Sequence, residues 1–261
     1  MDIVIIIPAR FNSRRFPGKP LTLITGISLL ERVFNIAKTV NGISDIYITT
    51  DDQRIIQHAS SFGANAILTS TNCATGTDRI HETLKFIKKR PDVVINLQGD
   101  AVLTPPGIVQ CLVDEIHTKT KMVTAAVQCT WSQICQIKLL KKQSPTSGTF
   151  VTINKSGHAL YFSKAIIPYT RSFLCDDSMS PIYRHIGIYG YSCDTLDKLS
   201  NLDQSPLESV EQLEQLRALE NDIPIKVVVV DYCGRTHGSV DSPEDVPFIE
   251  SIIAREGELV K

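Results

Sequence analysis

Ile3-Val4-Ile5-Ile6-Ile7-Pro8, running straight into Ala9-Arg10-Phe11-Asn12-Ser13-Arg14-Arg15-Phe16-Pro17-Gly18-Lys19-Pro20-Leu21, carries both the first fold signal and the first chemical one. The apolar run is β-branched and continuous rather than alternating, as expected of a strand covered on both faces in a parallel sheet. Residues 45–50 and 93–97 read the same way, and residues 123–127 and 226–230 add two more buried-strand candidates. Between them Leu29, Val33, Ile36 and Val40 fall at helical spacing. So do Ile55, Ile56, Ala59 and Phe62, and then Ile80, Leu84 and Ile87. Strand followed by helix, three times over, predicts an α/β fold with a doubly wound, mostly parallel sheet. Such sheets bind ligands in the loops beyond the carboxyl ends of their strands.

The rhythm changes at about residue 149. Residues 150–153, 158–162 and 185–191 look like strands without long helices between them, which predicts a small β-rich insert over about residues 149–192. Residues 206–219 then read as one amphipathic helix. Ser242-Pro243-Glu244-Asp245 carries the N-cap, proline and first-turn acids that open a last one. With 261 residues and no internal repeat or linker, a single domain over 1–261 is expected.

Composition narrows the function classes. Net charge is −1, from 27 Lys and Arg against 28 Asp and Glu, so no global field gathers nucleic acid or an anionic membrane, and phosphate binding must be local. The amino terminus lacks the basic stretch of a secretion signal and no apolar run reaches membrane-spanning length, so a cytoplasmic protein is expected. Seven cysteines, none in C-x-x-C spacing, predict reduced and mostly packed thiols.

The loop after the first strand holds four cations, Arg10, Arg14, Arg15 and Lys19, and one glycine. It is neither G-x-G-x-x-G nor G-x-x-x-x-G-K-[ST], so phosphate would be held by side-chain charge rather than by bare backbone. Guanidinium forks suit a triphosphate because each bridges two oxygens. The stretch Val93-Val94-Ile95-Asn96-Leu97-Gln98-Gly99-Asp100 delivers a carboxylate at the end of a buried strand, where a nucleotide enzyme holds Mg²⁺; a turn aspartate is the plainer alternative. Asp241 reads first as part of a helix cap and second as another metal carboxylate.

Taken together, IIPARFNSRRFPGKPL, TGTDR at 75–79, INLQGD, ALYFSKAIIPY at 159–169, RHIGIYGY at 184–191, SPLESVEQLEQLR at 205–217 and VDSPEDV resemble the CMP-Kdo synthetases, the 3-deoxy-manno-octulosonate (Kdo) cytidylyltransferases. The resemblance runs along almost the whole chain. It implies a Rossmann-like domain of the nucleotide-diphospho-sugar transferase type with a β-rich dimerisation insert, hence a homodimer. It implies that CTP and an acidic sugar are the substrates and Mg²⁺ the cofactor. It assigns catalysis to Arg10, Arg15, Lys19 and Asp100, the first three on the triphosphate, with Asp100 and Asp241 as metal ligands. Thr75, Gly76, Thr77, Asp78 and Gln98 would contact the cytidine, and Ala9 and Ser13 would be further substrate contacts. His185, Tyr189, Glu214 and Gln215 would line the sugar pocket, with Lys164 facing the sugar acid. The anomeric hydroxyl of the sugar would attack the α-phosphorus of CTP and expel pyrophosphate, with no protein nucleophile.

Two departures touch the acceptor. Ala101-Val102 follows Asp100 where the family has Glu-Pro, and Ser144-Pro145-Thr146-Ser147-Gly148-Thr149 replaces Asn-Pro-Asn-x-Val-Lys, losing a lysine. Three functions therefore stand side by side: Kdo or a close ulosonate as acceptor; another acid such as 8-amino-Kdo or a phosphonate; or a catalytically inactive sugar-nucleotide binder. The retained Asp100, Asp241, Arg10, Arg15 and Lys19 speak against the third, and the missing glycine fingerprint speaks against a nicotinamide dehydrogenase.

Overall fold

A computed structural model describes residues 1–13, 15–116, 120–171 and 174–260; Arg14 of the basic loop lies outside the described residues. The chain opens with β1 (Ile3–Pro8), a short hairpin of β2 (Leu23–Ile24) and β3 (Ile27–Ser28), then α1 (Leu29–Lys38), β4 (Asp45–Thr50), α2 (Gln53–Ser61), β5 (Asn65–Leu68), α3 (Gly76–Thr83) and β6 (Val93–Asn96). Next come α4 (Pro106–Glu115), β7 (Met122–Thr130), α5 (Trp131–Gln143), β8 (Phe150–Ile153), β9 (Ala159–Ser163) and β10 (Met179–Ser192). The chain closes with α6 (Cys193–Ser200), α7 (Pro206–Glu211), α8 (Gln215–Glu220), β11 (Lys226–Val230) and α9 (Asp245–Glu256).

The main sheet runs β11-β7-β10-β6-β1-β4-β5. β1 pairs parallel with both β4 and β6, β4 with β5, and β7 with β11. Only β10 runs against this grain, antiparallel to β6 and β7. The doubly wound, mostly parallel α/β sheet expected from the strand-helix rhythm is therefore present.

The unbroken apolar run of β1 is explained by two cores. Ile3, Ile5 and Ile7 bury against Leu30, Val33, Leu112 and Ile249 on one face. Val4 and Ile6 bury against Ile80, Leu196 and Leu216 on the other. Successive side chains of a strand point to opposite faces, so both sets must be apolar when helices cover both. A third, smaller cluster of Cys129, Ile134, Phe150 and Ile182 seats α5 on the extended ends of β7 and β10.

Several local expectations are corrected. β8 and β9 form a hairpin attached to the side of β10, but β10 itself, expected to belong to the β-rich insert, is a central strand of the main sheet. The 206–219 helix is broken: Gln212 adopts a left-handed φ of 55°, separating α7 from α8, and the buried Arg217–Glu208 pair (2.8 and 2.6 Å) clamps the two pieces together. The last helix starts at Asp245, whose carboxylate accepts from the backbone N–H of Asp241 and of Ser242 (2.8 and 2.7 Å). Asp245 is thus the capping acid, and Asp241 is free of that task.

The cysteine expectation is also corrected. Cys135 on α5 and Cys175 are joined in a disulfide across 40 residues, a pairing that spacing does not reveal. Only Cys129 and Cys193 are buried thiols; Cys73 is partly covered and Cys111 and Cys233 are exposed.

Candidate active site

The basic loop is shaped by its own aromatic residues. Phe11 and Phe16 pack onto the first core, and the Phe11 carbonyl accepts from the N–H of Ser13 and of Gly18 (3.0 and 2.8 Å), folding the loop back on itself. The Arg54 guanidinium lies 3.3 Å from the centre of the Phe11 ring. With its apolar residues anchored beneath, the loop presents Arg10 and Lys19 over the carboxyl ends of β1 and β6, with Arg15 beside them.

A cleft of about 190 Å³ opens there. Of the residues expected on the nucleotide side, Ala9, Arg10, Ser13, Lys19, Gly76, Gln98 and Asp100 line it together. Lys19 Nζ donates to Asp100 Oδ2 and to the Val240 carbonyl, each at 2.8 Å, so one ammonium ties the end of β6 to the loop that carries Asp241. Arg15 stands on the rim and donates to Asp241 Oδ1 at 2.8 Å. The Lys19–Asp100 side chains are 16% and 31% exposed, whereas the Arg15–Asp241 pair is 70% and 47% exposed. Every carboxylate expected to hold metal is therefore covered by a cation expected to hold phosphate.

Gly99 is required by close approach: a side chain there would come within 2.8 Å of the Pro8 carbonyl. Gly76 opens α3 beside the Gln98 amide, which donates to Asn96 Oδ1 (2.9 Å). Thr75 and Asp78 form the capping box of α3, with Asp78 N–H donating to Thr75 Oγ1 at 3.1 Å and Thr75 N–H to Asp78 Oδ2 at 3.0 Å. These two side chains are thus turned to the helix end, and Gly76 is the member of the turn that lines the cleft.

A second, more enclosed cavity of about 40 Å³ is lined by Thr77, Tyr189, Glu214 and Gln215 from the expected set. Met122, Tyr191, Leu199 and Arg217 complete it. Glu214 accepts from the Thr75 hydroxyl (3.0 Å), and burial raises its carboxyl above the ordinary range, partly opposed by bonds from Thr75 and Thr77. Burial likewise raises the Tyr189 phenol.

His185 is buried in β10 with its ring 5.0 Å from Phe162 and 5.5 Å from Tyr189. Burial first, then the charge of Lys164 and the His237 ring, pushes its pKa down to about 3, so it is neutral near pH 7. Its Nε2 lies 2.9 Å from Thr124 Oγ1, whose single proton goes to the Ile188 carbonyl at 2.7 Å. Hydrogen-bond accounting therefore assigns the imidazole proton to Nε2 and leaves Nδ1 as an acceptor. Lys164 Nζ donates to Thr149 Oγ1 (3.1 Å) and lies close enough to Asp241 and Glu211 to feel both charges, although burial is the larger effect and lowers its pKa.

Sequence reasoning did not single out Pro8, Pro20, Arg79 and Gly99 as cleft residues. Arg79 sits inside the quoted Thr75–Arg79 motif, and its guanidinium braces Thr69 Oγ1 (2.7 Å) and Asp51 (3.1 Å) under the cleft. Tyr191 escapes the sequence reading because nothing in a strand pattern separates a cavity-lining phenol from a core one.

A metal fits the donor set. Asp100 and Asp241 are hard oxygen ligands that one lysine draws together, and Mg²⁺ takes one or two carboxylates and completes its shell with phosphate and water. Among the described residues no group of three or more His, Cys, Asp or Glu could hold a metal unaided.

Comparison with known proteins gives consistent matches. A family described as Cytidylyltransferase matches residues 4–226. A 3-deoxy-manno-octulosonate cytidylyltransferase of Maricaulis maris is 44% identical over 100% of both chains. An 8-amino-3,8-dideoxy-manno-octulosonate cytidylyltransferase of Shewanella pealeana is 38% identical, covering 96% of this chain and 98% of its own. A solved CMP:2-keto-3-deoxy-manno-octonic acid synthetase complexed with CTP superposes with a TM-score of 0.85 at 32% identity, covering 98% and 100% of the two chains.

Proposed function

The chain belongs to the cytidylyltransferase family, and from that premise we propose that it transfers CMP from CTP to the anomeric hydroxyl of Kdo or a close ulosonate. The observation that carries this reading is the double pairing at the cleft mouth, Lys19 with Asp100 and Arg15 with Asp241. A metal-bound triphosphate matches it charge for charge: its phosphates take the two cations while its metal takes the two carboxylates.

In this reading Arg10, Arg15 and Lys19 hold the phosphates in line and neutralise charge that grows on the leaving pyrophosphate. The acceptor hydroxyl oxygen forms a bond to the α-phosphorus, the bond from that phosphorus to the bridging β-phosphate oxygen breaks, and the hydroxyl proton leaves to solvent. Asp100 and Asp241 would hold Mg²⁺, which supplies Lewis-acid polarisation of phosphate and hydroxyl oxygen. Gln98 and Gly76 face the nucleoside. His185 Nδ1, Tyr189, Glu214 and Gln215 take acceptor hydroxyls in surroundings dry enough to make each bond selective, and Lys164 takes the acid group. The protein works in the cytoplasm as a homodimer through the face around the β8–β9 hairpin, since β10 is committed to the main sheet. Exposed Leu160, Tyr169 and Leu174 support that interface. No helix among the described residues is long and apolar enough to cross a membrane.

The test is pyrophosphate release by purified protein with each of the four NTPs, with and without Mg²⁺, against a panel of acids. CTP with Kdo is expected to give turnover that EDTA abolishes; turnover with another NTP alone, or with none, overturns the reading. The 8-amino ulosonate belongs in the panel because the buried Glu214 has hydroxyl partners but no cation paired to it, while Arg217 is committed to Glu208.

A further inference from the structure

Lys141, on the last turn of α5, lines neither the cleft nor the enclosed cavity, yet three backbone carbonyls converge on its ammonium. Nζ donates to the carbonyls of Pro145, Ser147 and Lys164 at 3.0, 2.5 and 2.7 Å, which engages all three of its protons. The same nitrogen lies 5.4 Å from the centre of the Phe150 ring. Burial, and then the charges of Lys164 and Arg184, disfavour a cation at this place. The three carbonyl dipoles and the aromatic face offset that cost.

What these carbonyls have in common is Lys164. Its backbone is clamped at both ends, the N–H on Glu211 Oε2 (2.8 Å) and the carbonyl on Lys141. Its side chain donates to Thr149 Oγ1 (3.1 Å), and Thr149 closes the segment 144–149, whose Pro145 and Ser147 carbonyls also sit on Lys141. One ammonium therefore fixes both the backbone that carries Lys164 and the segment that leads to its side-chain partner. The helix beneath gives thin support, since α5 buries only Ile134, and residues 144–147 are exposed.

The placement of Lys164 matters because it stands between the two halves of the site. Its charge is felt by the buried His185 on the acceptor side, and it in turn feels Asp241 and Arg15 on the metal side. Where the related family carries a lysine at 149, this chain has Thr149, which accepts from Lys164 instead of adding a charge. We propose that Lys141 is a positioning residue for acid recognition: it holds Lys164 and Thr149 in register so that the Lys164 ammonium meets the carboxylate of the acceptor, while Lys141 itself touches no substrate. The inference rests on the proposed acceptor class and on Lys164 as the contact for its acid group.

A double-mutant cycle of Lys141→Met, Lys164→Met and the two together, with CTP and the ulosonate varied separately and Tm recorded, tests this. Methionine keeps an unbranched side chain of similar length and removes the donors. Water replaces the lost donor at the exposed Pro145 and Ser147 carbonyls, so Tm is expected to fall by no more than a few degrees. The acceptor KM is expected to rise about 5- to 20-fold in Lys141→Met while the CTP KM stays within about twofold. Because Lys141 acts through Lys164, the double variant is expected to match Lys164→Met alone to within about twofold. Losses that multiply in the double variant overturn the inference, as does an unchanged acceptor KM in Lys141→Met. So does a parallel rise in both KM values with a large fall in Tm, which marks a structural cation. Should Lys141→Met not fold, Lys141→Arg takes its place in the cycle; it keeps the charge but spreads the donors over a plane, so a smaller rise is expected and the same outcomes decide. If the unaltered protein turns over no ulosonate, the parent reading fails and this one with it; turnover by the unaltered protein with independent or absent effects of Lys141 sinks this one alone.

Discussion

The two halves of the site treat charge in opposite ways. On the nucleotide side the charges are exposed or half-exposed and satisfied by one another, Arg15 by Asp241 and Lys19 by Asp100. On the acceptor side they are buried, and their titration is displaced by burial: His185 downward, Glu214 and Tyr189 upward, Lys164 downward. Exposed pairs are weak and exchange partners easily, which suits a surface that must open to a metal-bound triphosphate and close again each turnover. Buried groups have no water to rearrange, which suits fixed recognition of a polyhydroxylated acid.

The largest break in this contrast comes from the metal side. Asp100→Asn keeps the shape but removes a charge that only a ligand replaces; kcat is expected to fall at least about 10²-fold while Tm moves by no more than a few degrees. Rates near those of the unaltered protein would end the metal assignment.

Next in size is acid stability. His185 is neutral in the fold with its pKa near 3 against an ordinary value of 6.5. A base held down in this way contributes stability that is present above pH 6.5 and is lost as pH falls toward 3. His185→Gln keeps a partner for Thr124 and removes the titration. Its melting profile between pH 6.5 and 3 is expected to be flatter than that of the parent by on the order of a few kcal/mol. Two superimposable profiles would show that His185 is not the group that pays.

The smallest expected effect is on the rim. Arg15→Ala should raise the CTP KM roughly tenfold and leave stability within about 0.5 kcal/mol, because the pair it breaks is exposed. A loss of stability without a change in CTP use would invert the contrast.

The legible parts of the chain follow this same division. β1, β6 and the loop between residues 8 and 21 announce themselves because a doubly covered strand must be apolar throughout and a phosphate loop without a glycine fingerprint must be cationic. The acceptor side was less readable, since its residues act through burial and partners far away in sequence. Asp241 reads as a helix cap, yet it is the Asp245 carboxylate that takes the backbone N–H groups ahead of the last helix. His185 and Tyr189 alternate along a strand as core residues do. The break at Gln212 leaves no mark because a glutamine with left-handed φ has no composition signal, and α5, which buries only Ile134, lacks the clean apolar stripe of α1. The reversal of β10 was invisible for a plainer reason: side-chain alternation reports which face is buried, never which way the neighbouring strand runs.

That reversed strand also shapes how the molecule comes to be built. β10 is the only link in the main sheet between β6 and β7 among the described residues, with Tyr189 set beside both Asn96 and Thr124. A nascent chain can close β1, β4, β5 and β6 early. It cannot join them to β7 until residue 192 has left the ribosome. Pairing this distant in sequence is slow, so the pocket for the acid and the pocket for the nucleotide become neighbours in one late step of folding.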